Sequence, residues 1–336
     1  MDNLRNLNNQ DFFELETLRE KILFVLRYAI LAPSTHNSQP WLFKVGERNC
    51  LLYADSRIKI KEADPVGRDL YISLGCCLAN LTIAAKYFGI FDSVKYFPSE
   101  TDAVAEIEFL DSGAGDHSLE QFVDAIPART NARGRFNKRG AESDVFERLA
   151  MLKFPDGLQA NYIIDTASIQ ELARLTGEGI KVAYRSAAFR REMSAWMHSN
   201  TSGKKDGLLG YSLRMPLLLS FIIPTLVRHF NIGGLLAKLN VKSLGSAPFV
   251  AVISASKDSK LLWVQTGELA ERIMLELTAR GLKTSIFAAA IEMGSFAGDI
   301  QKLLNLNLTP QFLFAGGYMS YEMKKSPRHP LQEKLI

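Results

Sequence analysis

The chain has 336 residues, 47% of them hydrophobic and 23% charged, with a formal net charge of +4. This is the composition of a soluble globular protein of one large or two ordinary domains. The positive excess is small and spread out, so it argues against a nucleic-acid partner and only weakly for an anionic ligand. Cys50, Cys76 and Cys77 are the only cysteines, and no C-x-x-C spacing occurs. Neither a disulfide framework nor a metal site is expected.

The first residues are polar and lack the apolar core of a signal peptide, which gives a cytoplasmic expectation. Ile22, Val25, Leu26, Ala29 and Ile30 recur at helical spacing. Pro33 tends to stop that helix, because its ring clashes with the preceding turn and it lacks an N–H. A tight loop of small hydrogen-bonding residues follows, Ala32-Pro33-Ser34-Thr35-His36-Asn37-Ser38-Gln39-Pro40-Trp41, and then a strand-like run, Leu42 to Val45. Such a loop can hold a flat, polar-edged ligand against its backbone; it is equally an ordinary helix-to-strand connector. Gly67-Arg68-Asp69 reads as the structural start of the next helix.

The chain repeats itself. Gly75 to Gly89 is an apolar helical stretch with a partner in Gly267 to Gly281, and the offset is 192 at both glycines (267 − 75 and 281 − 89). Both stretches end on a glycine suited to a left-handed cap and lead to β-like sequence. The strand-like runs Ala105 to Leu110 and Gln311 to Ala315 form a second echo. The break between the halves falls between Leu110 and Arg129, where Asp111-Ser-Gly-Ala-Gly-Asp reads as a linker. Vicinal Cys76-Cys77 reads as core. No G-x-G-x-x-G or Walker sequence supports a Rossmann or P-loop site.

Arg129-Thr130-Asn131-Ala132-Arg133 is a basic constellation. If the stretch is helical, Arg129 and Arg133 share a face and can grip a phosphate by paired hydrogen bonds; the bland alternative is a solvated turn. Residues 193–245 form a central insertion with glycines suited to a mobile lid. Within it Pro216 to Val227 is almost wholly apolar. It is shorter than the roughly 20 residues that span a bilayer. It reads as a buried helix or lid in preference to a membrane-surface contact.

The word A-P-S-x-x-N-x-Q-P-W at residues 32–41 resembles the flavin-contacting signature of the nitroreductase family. Arg129 to Arg133 resembles that family's basic R-[RH]-S-x-[RK] word, with Asn131 at the usual Ser position. Lys324-Lys-Ser-Pro-Arg328-His-Pro330 resembles its closing basic segment, with Ser326 where a lysine is common and Lys325 beside it. The order of these segments, with Gly67-Arg-Asp-Leu and Asp206-Gly-Leu-Leu-Gly-Tyr211, is most similar to the fused, lid-bearing branch, in which one chain mimics the two-protomer fold.

The resemblance implies an α+β, FMN-binding fold: two tandem halves forming a pseudo-dimer, with mixed sheets of antiparallel type flanked by helices. Residues 1–115 would be half one, and 116–336 half two with its lid at about 193–245. It implies one FMN per chain, because half two has no second A-P-S word and half one no matching basic word. Pro33, Ser34, Thr35, Asn37 and Gln39 would line the isoalloxazine and ribityl side. Arg129, Asn131, Arg133 and Arg328 would take the phosphate and O2 edge, and the backbone near Ala288 would face N5. His36 could touch a substrate or be a plain loop residue. The implied activity is NAD(P)H-dependent reduction of a small-molecule electron acceptor, a nitro compound or quinone. The alternative is a flavin-sequestering protein whose lid excludes substrate. No catalytic side chain is demanded. The partner expectations are no nucleic acid, no membrane, and a monomeric pseudo-dimer or loose homodimer.

Overall fold

The structure is a computed structural model, and it describes residues 3–293 and 295–336. It is α+β, built on two four-stranded antiparallel sheets. The first half contributes α1 (Leu18–Ala29), β1 (Trp41–Val45), β2 (Asn49–Ala54), α2 (Arg68–Tyr87), β3 (Phe91–Tyr96) and β4 (Ala105–Phe109). Then come α3 (Glu120–Ala128), α4 (Ser143–Ala150), β5 (Leu158–Ile163), α5 (Thr166–Arg185) and α6 (Ala187–Trp196). The central insertion carries the two-residue strands β6 (Met197–His198) and β7 (Leu208–Leu209), then α7 (Leu217–His229) and α8 (Gly233–Leu244). The chain ends with β8 (Phe249–Ala255), α9 (Lys260–Ala279), β9 (Lys283–Ile286), α10 (Ala289–Glu292), α11 (Phe296–Leu303) and β10 (Thr309–Gly317).

The sheets have one topology. The first is ordered β1-β2-β4-β3 and the second β5-β8-β10-β9, each with its long helix after the second strand. The sequence repeat is thus a structural one. α2 and α9 begin and end 192 residues apart (260 − 68 and 279 − 87). Gly89 and Gly281 behind them have φ of 71° and 75°, the left-handed geometry that glycine adopts without a Cβ penalty.

The two long helices cross at their equivalent glycines. A methyl group at Gly75 would overlap Val264 O and lie 2.8 Å from Val264 C and 3.0 Å from Gly267 Cα. One at Gly267 would overlap Ile72 O and lie 3.0 Å from Cys76 N. The obstacles are main-chain atoms in both directions, so the helices touch backbone to backbone. Cys76 and Cys77 are buried, and Cys76 Sγ lies 3.3 Å from Gly267 O at this crossing.

Burial explains the strand patterns. β8, FVAVISA, is buried along its whole length, because one core lies between the second sheet and α9 and another between that sheet and α5 and α11. β3 lies at the edge of the first sheet and is buried nowhere along its length. α3 sends Phe122, Val123 and Ile126 into the core of the first half, so residues past the 115 boundary pack on both sides of it. The C-terminus also crosses over: Leu335 bridges Phe43, and Ile336 N donates to Phe43 O at 2.9 Å, which covers the β1 edge.

Two expectations need correcting. Residues 129–133 are not helical: α3 ends at Ala128, Arg129 is extended (φ −60°, ψ 136°), and Asn131 bridges Thr284 of β9. Edge-strand pairing replaces the helical ladder, so Arg129 and Arg133 share no helical face. The apolar run at 216–227 is helical despite Pro224, but it is not a buried helix. Leu217, Leu218, Phe221 and Ile222 are each at least half exposed. Among the described residues only α2 is long and apolar enough to cross a membrane, and it lies largely inside the core.

Candidate cofactor site

Three segments far apart in sequence converge: the 33–39 loop, residues 127–133, and the C-terminal stretch 325–329. Arg328 ties the tail to the loop. Its Nε and Nη2 donate to the carbonyls of Ile30, Leu31 and Ala32 at 2.9–3.1 Å, and its Nη1 donates to Asn37 Oδ1 at 2.7 Å. The tail also reaches the end of α3, where Lys325 Nζ donates to Pro127 O at 2.9 Å. Arg5 Nη1 donates to the same oxygen at 3.1 Å.

The loop has unusual backbone geometry. His36, Asn37 and Gln39 all lie in the left-handed region, with φ of 53°, 56° and 52°. Each such non-glycine residue costs on the order of 1 kcal/mol or more and persists only where its surroundings hold it. Asn37 and Gln39 supply the hold. Asn37 Nδ2 donates to Lys205 O and Pro327 O. Gln39 is fully buried. Its Nε2 donates to Lys205 O at 2.7 Å, its Oε1 accepts from His329 N at 2.8 Å, and its backbone oxygen accepts from Lys334 Nζ at 2.7 Å. Both amides thus brace the loop. Ser34 Oγ closes it by accepting from Gln39 N at 2.9 Å. Pro33 is partly buried beside them.

Thr35 connects the loop to a buried acidic cluster at the start of α2. Its Oγ1 donates to Asp69 Oδ2 at 3.2 Å, and its N–H to Ser73 Oγ at 3.3 Å. Arg68 pairs with Glu292 at 2.9 Å. Burial, with the charges of Glu292 and Asp64, pushes the Asp69 carboxyl far above the usual carboxylate range. Asp69 therefore keeps its proton, and the Arg68 cation faces the other two carboxyl groups, Glu292 in direct contact and Asp64 nearby. The structure corrects the sequence reading that Arg68 and Asp69 hold a helix start: Asp64 Oδ2 accepts from Leu70 N of the first α2 turn at 2.8 Å, while Arg68 and Asp69 are directed at α10 and Thr35. Their partner Glu292 lies 223 residues beyond Asp69, and no local pattern announces it.

In the second segment, Arg129 is only 2% exposed and its Nε lies 3.2 Å from Glu271 Oε1, itself fully buried on α9. Arg129 Nη1 is buried with no hydrogen-bond partner. Asn131 Oδ1 accepts from Ile286 N at 3.0 Å. Arg133 lies near His36 and Tyr184, and burial lowers its pKa. Ala288 is partly buried at the start of α10, and its carbonyl accepts from Ile291 N. Thr284 and Ser285, on the strand that residues 131–132 join, keep buried hydroxyls without partners. Lys325 stands beside Ser326, where the resemblance asked for a lysine, whereas Arg5 was not singled out as a ligand from sequence. Lys325 has its pKa lowered by burial and by the nearby charges of Arg5 and Lys283, so cations are concentrated here.

The insertion covers the loop. Trp196 lies 6.3 Å from the His36 ring, Lys205 O takes the two amides, and Arg214 stacks 3.9 Å over Tyr321 while donating to Arg133 O. His36 Nε2 is buried there without a partner. Burial first, then Arg133, lowers the His36 pKa to about 4. The unfolded chain then binds more protons than the folded one between about 4 and 6.5, so stability falls as pH drops through that window. His36→Asn keeps a residue that tolerates positive φ and removes the titration. Its melting temperature should fall less than the parent's between those pH values; parallel curves would reject the burial of a neutral imidazole.

Unpartnered buried donors at Arg129 and His36, free hydroxyls at Thr284 and Ser285, and a local excess of cations fit an anionic ligand with a polar-edged body. FMN has that character.

No family model matches the chain. A "Putative NAD(P)H nitroreductase" of Mycobacterium tuberculosis (strain ATCC 25618 / H37Rv) is 22% identical over 330 residues, covering 97% of this chain and 92% of the relative. A second of that strain, acg, is 22% identical over 325 residues, covering 92% and 93%. Among solved structures, the FMN-dependent nitroreductase NfnB from Mycobacterium smegmatis in complex with NADPH is 19% identical, covering 65% of this chain and 97% of that one at a TM-score of 0.42. A nitroreductase with bound FMN from Bacteroides fragilis is 13% identical, covering 62% and 94% at 0.38.

Proposed function

We propose that this chain, which resembles nitroreductases over nearly its whole length, is an FMN-dependent oxidoreductase that takes electrons from NAD(P)H and reduces a small nitro compound or quinone. The observation that carries this reading is the convergence of the 33–39 loop, residues 127–133 and the 325–329 tail around buried donors that lack partners. The two halves act as a pseudo-dimer in this reading, so one chain completes one site.

Arg129 and Asn131, with Lys325 nearby, hold the anionic end of the cofactor. Arg133 and His36 offer positive potential and a neutral imidazole to its ring side, next to the backbone at Ala288. Pro33, Ser34 and Thr35 form the wall that Asn37, Gln39 and Arg328 brace. Asp69 fixes the Thr35 hydroxyl, and the cover from Trp196 to Arg214 excludes water. Bound FMN supplies the redox chemistry, hydride acceptance from NAD(P)H and electron delivery to the acceptor.

The cover also favours a second reading, in which FMN is sequestered without turnover, because Lys205 O is bonded directly to the loop. Anaerobic NADPH added to the purified protein separates the two. Bleaching of the oxidised-flavin absorbance is expected for the reductase. A spectrum that resists NADPH but yields to dithionite assigns sequestration. No flavin, even after incubation with FMN, overturns both.

A further inference from the structure

We propose that the outer face of α7 and α8 docks on an anionic lipid surface, which makes this a peripheral membrane protein. The proposal is independent of the cofactor reading.

Among the described residues, seventeen large apolar side chains are exposed, and eight of them fall between Leu217 and Leu239. Leu217, Leu218, Phe221 and Ile222 lie on the outer side of α7, and Phe230 follows that helix. Leu235 and Leu239 lie one turn apart on α8. Monomeric proteins rarely gather exposed apolar groups in this way without a partner. The inner sides of both helices are already packed. Ser220 and Val227 are buried under α7, Ala237 and Leu244 under α8, and Val241 packs against α5 at Gly177. The outer apolar face is therefore surplus to the needs of the fold.

Charge selects the occupant. From Gly207 to Ala247 there is no Asp or Glu, while Arg214, Arg228, Lys238 and Lys242 are present. Four cations in that stretch equal the net charge of the whole chain, +4. Arg228, Lys238 and Lys242 are exposed. At helical spacing Lys238 and Lys242 share a face of α8 with Leu235 and Leu239. Apolar side chains interleaved with cations and free of carboxylates match an anionic headgroup layer over acyl chains. A symmetric contact between two copies would instead bring the same cations together with no acid in the segment to offset them. Neither helix spans a bilayer by itself. The helices have 13 and 12 residues and are bent 119° at their break, and each is shorter than the roughly 20 residues a crossing requires. The absence of a membrane partner expected from sequence is revised at this face alone.

The test is flotation of the full chain with vesicles of phosphatidylcholine, alone or mixed with phosphatidylglycerol. Binding to the mixed vesicles is expected to exceed binding to phosphatidylcholine at least about tenfold and to fall as salt is raised. Two variants separate the contributions, L218S with F221S and R228Q with K238Q. All four side chains are exposed, so thermal melting should match the parent. Each variant is expected to lose about tenfold in vesicle binding. No binding to mixed vesicles, or equal binding by parent and both variants, overturns the proposal. So does a parent dimer in sedimentation velocity that L218S with F221S disperses, which would assign the face to a second copy.

Discussion

Gly75→Val is expected to cost about 3 kcal/mol or more, the upper part of the range for overpacking a core, because no side chain can turn aside to make room. The added atoms would meet Val264 O and Val264 C, main-chain atoms of the facing helix. Relief requires α2 and α9 to move apart, and the cores packed on both helices resist that. The helix-propensity gain of valine over glycine, about 0.4 kcal/mol, offsets little. Gly298→Ala is the matched control: Gly298 lies within α11 with open space at its Cβ, so alanine there should stabilise by up to about 1 kcal/mol. Thermal melts of the two variants should therefore move in opposite directions. The α2–α9 crossing also sets the distance between the loop at 33–39 and the segment at 129–133. FMN retention should fall with stability in Gly75→Val and stay unchanged in Gly298→Ala. A Gly75→Val protein with parental melting would mean the helices do not cross backbone to backbone.

Gly75 and Gly267 were legible as equivalent positions of the repeat, but that the two helices cross there was not, because close approach is a property of the facing helix. Gly89 and Gly281 behind the helices were legible as left-handed caps, and the strand-like runs 105–110 and 311–315 became β4 and β10. Direction was not legible. Arg129 to Arg133 carries the residue types of an anion site, but its conformation is set by β9, whose Thr284 lies 153 residues beyond Asn131 and pairs with it. Asn37, Gln39 and Arg328 have the right chemistry for a ligand and direct most of it at the protein, through oxygens and nitrogens of residues 30–32, 205 and 327–329. Glu292 meets Arg68 and Asp69 only because α10 docks beside the start of α2. The strained φ values at His36, Asn37 and Gln39 carry no composition signal, since the tail residues that hold them come from the far end of the chain. The apolar run at 217–222 shows the opposite case: its hydrophobicity left a buried helix and a lid both open, and the geometry removes the buried helix by showing which side faces out.

Arg129→Met should be the most damaging single change near the site, and its two effects can be separated. Glu271 is fully buried and Arg129 is the cation beside it, at 3.2 Å. Removing one partner of a buried pair typically costs about 3–5 kcal/mol, because the remaining charge is left in a poor solvent. Burial already raises the Glu271 pKa against the pull of Arg129, so without Arg129 the carboxyl holds its proton to higher pH. The folded state then binds more protons than the unfolded one, and the variant's stability should decline as pH rises from about 4.5, the usual carboxyl value. The double variant Arg129→Met with Glu271→Leu removes both charges and should recover most of the lost stability, since a well-packed apolar pair often replaces a buried ion pair at little cost. FMN affinity should not recover with it. The donor that is unpartnered in this structure, Arg129 Nη1, is the one the double variant still lacks, and a charge-assisted hydrogen bond to phosphate has no substitute in methionine. A double variant that regains both stability and FMN affinity would make Arg129 a structural cation alone and move the phosphate to Arg5 and Lys325. One that is stable but binds FMN at least about tenfold more weakly, a difference of roughly 1.4 kcal/mol, assigns Arg129 to the ligand.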